Sequence, residues 1–134
     1  SPADFESISL QYMRQIVTAL KDKVPVIVFA KGAWHSLNAM AETGAQALGI
    51  DWCITPQMAR SLAGDKVTLQ GNFDPAKLLS PIPVIKKETE TMLAAFGRER
   101  YIANLGHGIL PNIPVDHARA FVDTVKEWSN NDEQ

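Results

Sequence analysis

The residue of this sequence best suited to chemistry is His107, which stands between Gly106 and Gly108. Glycines on both sides leave an imidazole sterically open and let the backbone approach a ligand closely. An imidazole titrates near neutral pH, so it can transfer a proton or bind a carboxylate. We therefore interpret His107 as the candidate catalytic and substrate-binding residue, against the alternative of a histidine in a surface loop.

A second glycine-containing cluster, residues 71–75 (Gly-Asn-Phe-Asp-Pro), allows two interpretations. Turn chemistry accounts for all of its residue types, because glycine permits tight backbone geometry and aspartate caps a following helix. Contact with a substrate is the other interpretation, and the sequence leaves both open. Lys31 is the remaining charged residue of interest beside a predicted strand, although a lysine at a sheet edge is commonly just solvated.

The other nucleophilic or metal-ligating side chains form no recognisable site. His35 follows a tryptophan at a helix start and His117 lies among polar positions of the last helix, so we interpret both as surface or second-layer residues. Cys53 stands in an apolar run and is interpreted as a buried thiol in a strand. Three scattered histidines and one cysteine match no zinc pattern, and neither common glycine-rich phosphate loop occurs. We expect no metal and no nucleotide cofactor.

The composition indicates a globular protein and argues against several classes. The 134 residues are 46% hydrophobic and 21% charged, which suits one small domain or a piece of a larger one. A formal net charge of -2 gives no reason to expect nucleic acid or an anionic membrane as a partner. The longest strongly apolar run, residues 24–30, is far too short to span a bilayer. A single cysteine indicates a reducing compartment such as the cytoplasm, and an opening serine instead of methionine leads us to expect a part of a longer protein.

Apolar patterning predicts alternating helices and strands, and these elements must position His107. A capping sequence at the start precedes an apolar stripe at helical spacing, which predicts a first amphipathic helix. The stripe consists of Phe5, Ile8, Tyr12, Ile16 and Leu20. Further helices are predicted over residues 37–48, 55–62, 84–96 and 114–128, strands over 24–30, 50–54, 66–70 and 101–105, and a polar tail over 129–134.

Four short strands separated by helices predict an α/β fold with a parallel sheet, either open or closed into a barrel. The polar and glycine-containing clusters at residues 31–32, 71–74 and 106–108 all follow the carboxyl end of a predicted strand. That edge of the sheet holds the active site in both architectures. We therefore expect His107 to lie at the active edge.

Four blocks of the sequence resemble the uroporphyrinogen decarboxylase family, in order and at the spacing of that family. They are residues 26–32 (Val-Ile-Val-Phe-Ala-Lys-Gly), 49–52 (Gly-Ile-Asp-Trp), 67–75 (Val-Thr-Leu-Gln-Gly-Asn-Phe-Asp-Pro) and 101–109 (Tyr-Ile-Ala-Asn-Leu-Gly-His-Gly-Ile). Together they represent essentially the whole chain. Gly-Asn-x-Asp-Pro followed about thirty residues later by Asn-Leu-Gly-His-Gly is the most specific part of the resemblance.

The resemblance implies a (β/α)8 TIM barrel of which residues 1–134 form a single partial domain, the C-terminal half with about four parallel strands. The family's arginine-rich substrate loop, its pyrrole-binding aspartate, a pocket tyrosine and a site serine or threonine all belong to sequence outside this chain. Of the family's principal site residues, only the histidine maps here, onto His107. The resemblance also implies a homodimer in the full-length protein.

The activity that the resemblance implies is decarboxylation of the four acetate side chains of uroporphyrinogen III. The product is coproporphyrinogen III, an intermediate of haem and porphyrin biosynthesis, and neither metal nor organic cofactor takes part. A protonated pyrrole ring accepts the electrons that CO2 leaves behind, so the protein must mainly bind, orient and supply protons. His107 would contact a substrate carboxylate or deliver a proton.

Two alternatives belong to other functional classes. The cobalamin-dependent methyltransferases share the barrel, but they bind zinc through a His-x-Cys pair where this chain has residues 29–31 (Phe-Ala-Lys), and through a cysteine where it has His107. Thiolate activation needs those ligands, so the methyltransferase chemistry is disfavoured. The other alternative is a non-catalytic half-barrel interaction module whose open sheet edges are covered by another copy or by the other half. We expect the isolated chain to be inactive.

Overall fold

Short strands and helices alternate along the chain. A computed structural model describes residues 1–130. The chain begins with one helical stretch made of α1 (Pro2–Phe5), a π-helical segment (Glu6–Leu10) and α2 (Gln11–Leu20). It continues through β1 (Ile27–Phe29), a 3-10 turn (Trp34–Ser36), α3 (Leu37–Ala41), β2 (Ala47–Gly49), α4 (Pro56–Ala63), β3 (Thr68–Phe73), a second 3-10 turn (Pro75–Leu79), α5 (Ile82–Phe96), β4 (Tyr101–Leu105) and α6 (Val115–Asn130).

The four strands form one parallel sheet in the order β1-β2-β3-β4. Phe29 pairs with Gly49, Gly49 with Gln70, and Gln70 with Ile102, so the carboxyl ends of the strands meet at one edge. Right-handed crossovers between strands added in one direction place the connecting helices on one face. The predicted α/β fold is confirmed, and the arrangement is that of four consecutive units of a (β/α)8 barrel.

The hydrophobic core lies between the sheet and the helices. Leu48 of β2 and Leu69 of β3 are fully buried and belong to a cluster that includes Val17 of α2. A second cluster lies under α5 and α6, where the rings of Phe73 and Phe121 are 5.1 Å apart between centroids. Burial of apolar side chains on this face is the main force that holds the sheet and its connections in place.

The opposite face of the sheet is open in the described part of the chain. Ile27 and Phe29 of β1 and Ile102 of β4 are exposed there. In a complete barrel the corresponding face is filled by side chains from all the strands. Each outer strand also has a single neighbour among residues 1–130, so β1 and β4 leave backbone groups unpaired at the sheet edges.

The first helix is confirmed, but most of its predicted apolar stripe is exposed. Ile8, Tyr12 and Ile16 are 67%, 56% and 58% exposed, whereas Leu10 and Val17 are buried in the core. The intervening π-helical segment adds a residue to the local turn and changes which side chains face the sheet. The capping box at Ser1 and Asp4, predicted from the sequence, is present.

The second strand lies earlier than predicted. It spans Ala47–Gly49 instead of residues 50–54, and the helix before it ends at Ala41 instead of residue 48. Gly44 has a φ of +86°, which ends the helical path, and all three strand residues are buried. Apolar residues at 45 and 48 fit a helical period and a buried strand equally well, which is why the pattern predicted the wrong element.

The third strand runs further than predicted, because β3 includes Gly71 to Phe73 and ends where Asp74 caps the second 3-10 turn. At the other end of the molecule α6 continues to Asn130, so residues 129 and 130 of the predicted polar tail are helical. The remaining tail residues, 131–134, lie outside the described residues. No helix within residues 1–130 combines the length and apolar character needed to cross a bilayer.

Candidate active site

His107 lies in the turn directly after β4, at the carboxyl edge of the sheet, where the sequence predicts it. Its imidazole packs edge-to-face on Trp52, which follows β2; the ring centroids are 4.6 Å apart and the planes cross at 74°. The backbone N–H of Gly106 donates to the Phe73 carbonyl at 2.7 Å, which ties the turn to β3. Three strands therefore position this imidazole.

The hydrogen bond made by His107 determines which ring nitrogen is available. Nδ1 lies 2.6 Å from the Gly108 carbonyl oxygen, and because a carbonyl only accepts, Nδ1 carries the proton. Within residues 1–130 Nε2 has no hydrogen-bond partner. The neutral ring can thus accept a proton at Nε2, and the protonated ring can donate from Nε2 to a carboxylate.

The two glycines beside His107 differ in what they contribute. A Cβ placed on Gly106 would lie 2.7 Å from Cε3 of Trp52 and 3.0 Å from Cα of Asp51, closer than carbon atoms pack. A Cβ on Gly108 would meet nothing within 4 Å. Gly106 is required for the close approach of the β4 turn to the β2 turn, and Gly108 is not.

Asp51 joins the turns after β1 and β2. Its side chain is 4% exposed, with one carboxylate oxygen accepting from the Gly32 N–H at 2.6 Å and the other from the Cys53 N–H at 3.0 Å. Hydrogen bonds to a carboxylate are stronger than those between neutral groups, so this side chain fixes both turns. The sequence does not predict this role, although an aspartate in an apolar run is the available signal.

Asn72 also holds the β2 turn. Its buried side-chain amide donates to the carbonyls of Asp51, at 3.2 Å, and Ile54, at 2.7 Å. A Cβ on Gly71 would lie 2.2 Å from the Ile50 carbonyl oxygen, so only glycine allows this approach of β3 to β2. The interpretation of residues 71–73 as a turn is wrong, whereas the predicted capping role of Asp74 is confirmed, because its carboxylate accepts from the Ala76 N–H at 2.9 Å.

Lys31 reaches the same tryptophan from the end of β1. Its ammonium nitrogen lies over the Trp52 ring, 5.7 Å from the centroid, at a distance typical of a cation–π contact. The side chain is exposed, and in the described part of the chain no carboxylate comes within ion-pair distance of it. Lys31 and His107 therefore both contact the Trp52 ring.

A cavity of about 460 Å³ opens on the inner face of the sheet beside His107. Its lining includes Phe29, Gln70, Asn104 and His107, which come from three strands and the β4 turn. A second cavity of about 450 Å³ lies between α4 and α5, where Lys77 and Glu88 pair with each other. The inner cavity is the candidate substrate site, since it lies at the carboxyl ends of the strands and is lined by His107.

The remaining candidate side chains lie apart from this site or differ from expectation. His117 is half-buried and donates from Nδ1 to the Leu78 carbonyl at 2.6 Å, and half-buried His35 lies 2.8 Å from the Ser36 hydroxyl, as expected of second-layer residues. Cys53 is exposed in the turn after β2, so its prediction as a buried strand residue is wrong. Loss of solvation and the neighbouring Asp51 carboxylate raise the pKa of the Cys53 thiol, which disfavours the reactive thiolate.

Among residues 1–130 no three histidine, cysteine, aspartate or glutamate side chains cluster closely enough to hold a metal ion.

The family model for uroporphyrinogen decarboxylase (URO-D) matches residues 1–128. This chain belongs to the uroporphyrinogen decarboxylase family. The matched residues include all four strands and the turns after them that form the candidate site.

Curated members of the family are similar over nearly the whole chain. The uroporphyrinogen decarboxylase of Flavobacterium johnsoniae is 57% identical over 128 residues, which are 96% of this chain and 38% of that protein. The uroporphyrinogen decarboxylase of Christiangramia forsetii is 58% identical over 127 residues, 95% of this chain and 37% of that protein. The chain therefore spans little more than a third of the length of the curated relatives it matches.

A solved structure has a similar arrangement of strands and helices. A methyltransferase from Methanosarcina mazei superposes with a TM-score of 0.81 and 20% sequence identity, covering 96% of this chain and 38% of that one. At this level of identity the likeness concerns the arrangement of strands and helices alone.

Proposed function

We propose that this chain forms the histidine-bearing part of the active site of a uroporphyrinogen decarboxylase, which converts uroporphyrinogen III to coproporphyrinogen III. The observation that carries the proposal is the placement of His107 in a member of this family. Its turn is fixed from two neighbouring strands, its Nδ1 proton is committed to Gly108, and its Nε2 is unpartnered beside the inner cavity.

For this reaction the protein mainly has to bind the substrate, orient it and supply protons. Protonation of a pyrrole carbon makes the ring electron-deficient, so the pair of electrons released when the acetate carboxylate leaves as CO2 flows into the ring. A proton then completes the methyl group, and the ring carbon gives up the proton that it gained, which restores the pyrrole. His107 has the two properties that this reaction needs, since its unpartnered Nε2 can exchange a proton with the substrate and a protonated imidazole binds a carboxylate. Because the substrate itself takes up the electrons, the proposed reaction uses no metal or organic cofactor.

The exposed inner face of the sheet indicates that the isolated chain holds only part of the active site. Phe29 and Ile102 are exposed on that face, and β1 and β4 have open edges within the described residues. A barrel interior closed on all sides would exclude water from the reacting ring, whereas this open face leaves the site exposed. We therefore propose that residues 1–134 alone are inactive. We also propose that the full-length protein is a homodimer and that it lies in the cytoplasm. The single cysteine supports a reducing compartment.

The direct test gives uroporphyrinogen III to the full-length gene product under anaerobic conditions and separates the products by their number of carboxylates. We expect stepwise loss of the four acetate carboxylates, with equal rates before and after treatment with a metal chelator. Absence of CO2 release would contradict the proposal.

A companion experiment mixes residues 1–134 with a separately produced N-terminal part. Coproporphyrinogen formation in the mixture, and in neither part alone, is the expected outcome. A complex that forms without regaining activity counts against the decarboxylase, and it favours the non-catalytic interaction module.

The methyltransferase alternative gains no support from the site. None of the residues lining the inner cavity is a cysteine. The positions at which the methyltransferases carry zinc ligands are occupied here by Phe29, Lys31 and His107. A zinc-activated thiolate needs soft ligands that these side chains do not supply.

A further inference from the structure

We propose that Lys31 is a second substrate-binding residue, which pairs with a carboxylate of the substrate beside the one that His107 engages. This inference rests on the proposed function, because it concerns the same site and a substrate that carries a carboxylate on every side chain. A tetrapyrrole of this kind presents several anionic groups around one ring system, so one imidazole cannot neutralise them alone.

The first support is the position of Lys31 at the carboxyl end of β1. Asp51 holds the adjacent Gly32 N–H at 2.6 Å, so the backbone that carries Lys31 is anchored to the turn that carries Trp52. The same turn contacts His107. The structure thus connects the lysine and the histidine through one buried carboxylate and one indole.

The second support is the unsatisfied charge of Lys31. The Asp51 carboxylate accepts from two backbone N–H groups and makes no ion pair, and none of the carboxylates in residues 1–130 pairs with the Lys31 ammonium. Its described contact is the Trp52 ring, with Nζ 5.7 Å from the centroid. A cation held over an aromatic ring still has N–H donors available to an anion.

The third support is the chemical match between the two groups on the indole. Trp52 contacts the Lys31 ammonium and the His107 imidazole, and its ring provides an apolar surface between them. Two carboxylate-binding groups separated by an apolar ring suit neighbouring carboxylate arms on an apolar pyrrole.

The test measures kcat and KM for uroporphyrinogen III in the full-length gene product and in three variants. Lys31→Gln removes the charge and keeps a polar side chain that is one atom shorter. Lys31→Arg keeps the charge, and Lys66→Gln removes an exposed charge before β3, at the opposite edge of the sheet. We expect Lys31→Gln to raise KM about tenfold with kcat changed less than about twofold, which is the effect of one charge-assisted hydrogen bond. Lys31→Arg should restore KM to within about twofold, and Lys66→Gln should leave both constants unchanged.

The outcomes separate this inference from the proposed function. An active wild type in which Lys31→Gln has the same KM as Lys66→Gln overturns the role of Lys31 and leaves the decarboxylase intact. A kcat loss in Lys31→Gln without a KM change also overturns a binding role. If the wild type releases no CO2 from uroporphyrinogen, both the proposed function and this inference are contradicted. Equal thermal midpoints of the three variants confirm that each one folds.

Discussion

The Trp52 indole and the His107 imidazole meet edge-to-face, with 4.6 Å between their ring centroids, at the point where the β2 and β4 turns converge. The contact exists because Gly106 has no side chain. Its Cα lets the β4 turn approach Trp52 and Asp51 so closely that even a methyl group would overlap them. The position of the candidate catalytic side chain thus depends on a residue that performs no chemistry.

Gly106→Ala should displace the His107 turn and reduce decarboxylation strongly. The added Cβ would lie 2.7 Å from Trp52, and relief of such an overlap costs about 1–3 kcal/mol of unfolding free energy and shifts the imidazole. Gly108→Ala is the matched control, because its Cβ would have open space around it and its φ is not in the positive range. Activity assays and urea unfolding of both variants check the prediction; equal behaviour of the two would contradict the packing argument.

Asp51→Ala should loosen the turns after β1 and β2 together. The substitution leaves the Gly32 and Cys53 N–H groups without their acceptor, and the loss of two hydrogen bonds to a charged group costs about 3–6 kcal/mol. Chemical denaturation measures the change in unfolding free energy. Asp65→Ala removes an exposed carboxylate from the loop before β3 and should change it by less than about 0.5 kcal/mol. A small effect at Asp51 would show that the two turns hold their shape without it.

Tyr101 should make the stability of the protein sensitive to alkaline pH. Its hydroxyl donates to the Gly71 carbonyl and its ring stacks on Phe96 with the planes at 6°; burial raises the pKa of this phenol above the ordinary value. Because the folded-state pKa is raised, the contribution to stability is full below about pH 10 and is lost as the pH rises through the folded-state pKa.

Unfolding free energies of the wild type and Tyr101→Phe, compared from pH 8 upward, test this. The wild type should be more stable by about 1 kcal/mol at pH 8, and the difference should shrink above pH 10. Tyr12→Phe, at an exposed position, should follow the wild-type curve. A difference that stays constant with pH would contradict the assignment.

The sequence predicts the class of fold correctly, because four buried β-branched or apolar runs separated by helical stripes are typical of a parallel α/β sheet. It also predicts the placement of His107, since a glycine-flanked histidine after a strand can only lie at the carboxyl edge. The boundaries of β2 are wrong because Ala45 and Leu48 fit a helical period as well as they fit a buried strand. Local periodicity does not resolve a strand of three residues.

The supporting side chains of the site are less visible in the sequence. Three of the four hydrogen bonds made by Asp51 and Asn72 within residues 1–130 join backbone groups that lie 18 to 21 residues away in the chain, and no local pattern specifies such partners. The sequence predicts a turn at Asn72, because glycine, asparagine and aspartate are turn formers. In the structure β3 continues through Asn72, since Gly71 allows a close approach to Ile50 of the β2 turn. Tertiary packing overrides the local preference there.

The central claim is that His107 engages the acetate-bearing substrate, and the most direct test is the product profile of His107→Asn in the full-length gene product. Asparagine preserves approximate size and removes the imidazole with its unpartnered Nε2. His117→Asn alters a histidine that donates to the Leu78 carbonyl away from the site. Anaerobic conversion of uroporphyrinogen III should be at least about tenfold slower in His107→Asn, with partly decarboxylated intermediates accumulating, and His117→Asn should match the wild type. An unchanged rate and an unchanged product profile in His107→Asn would contradict the account.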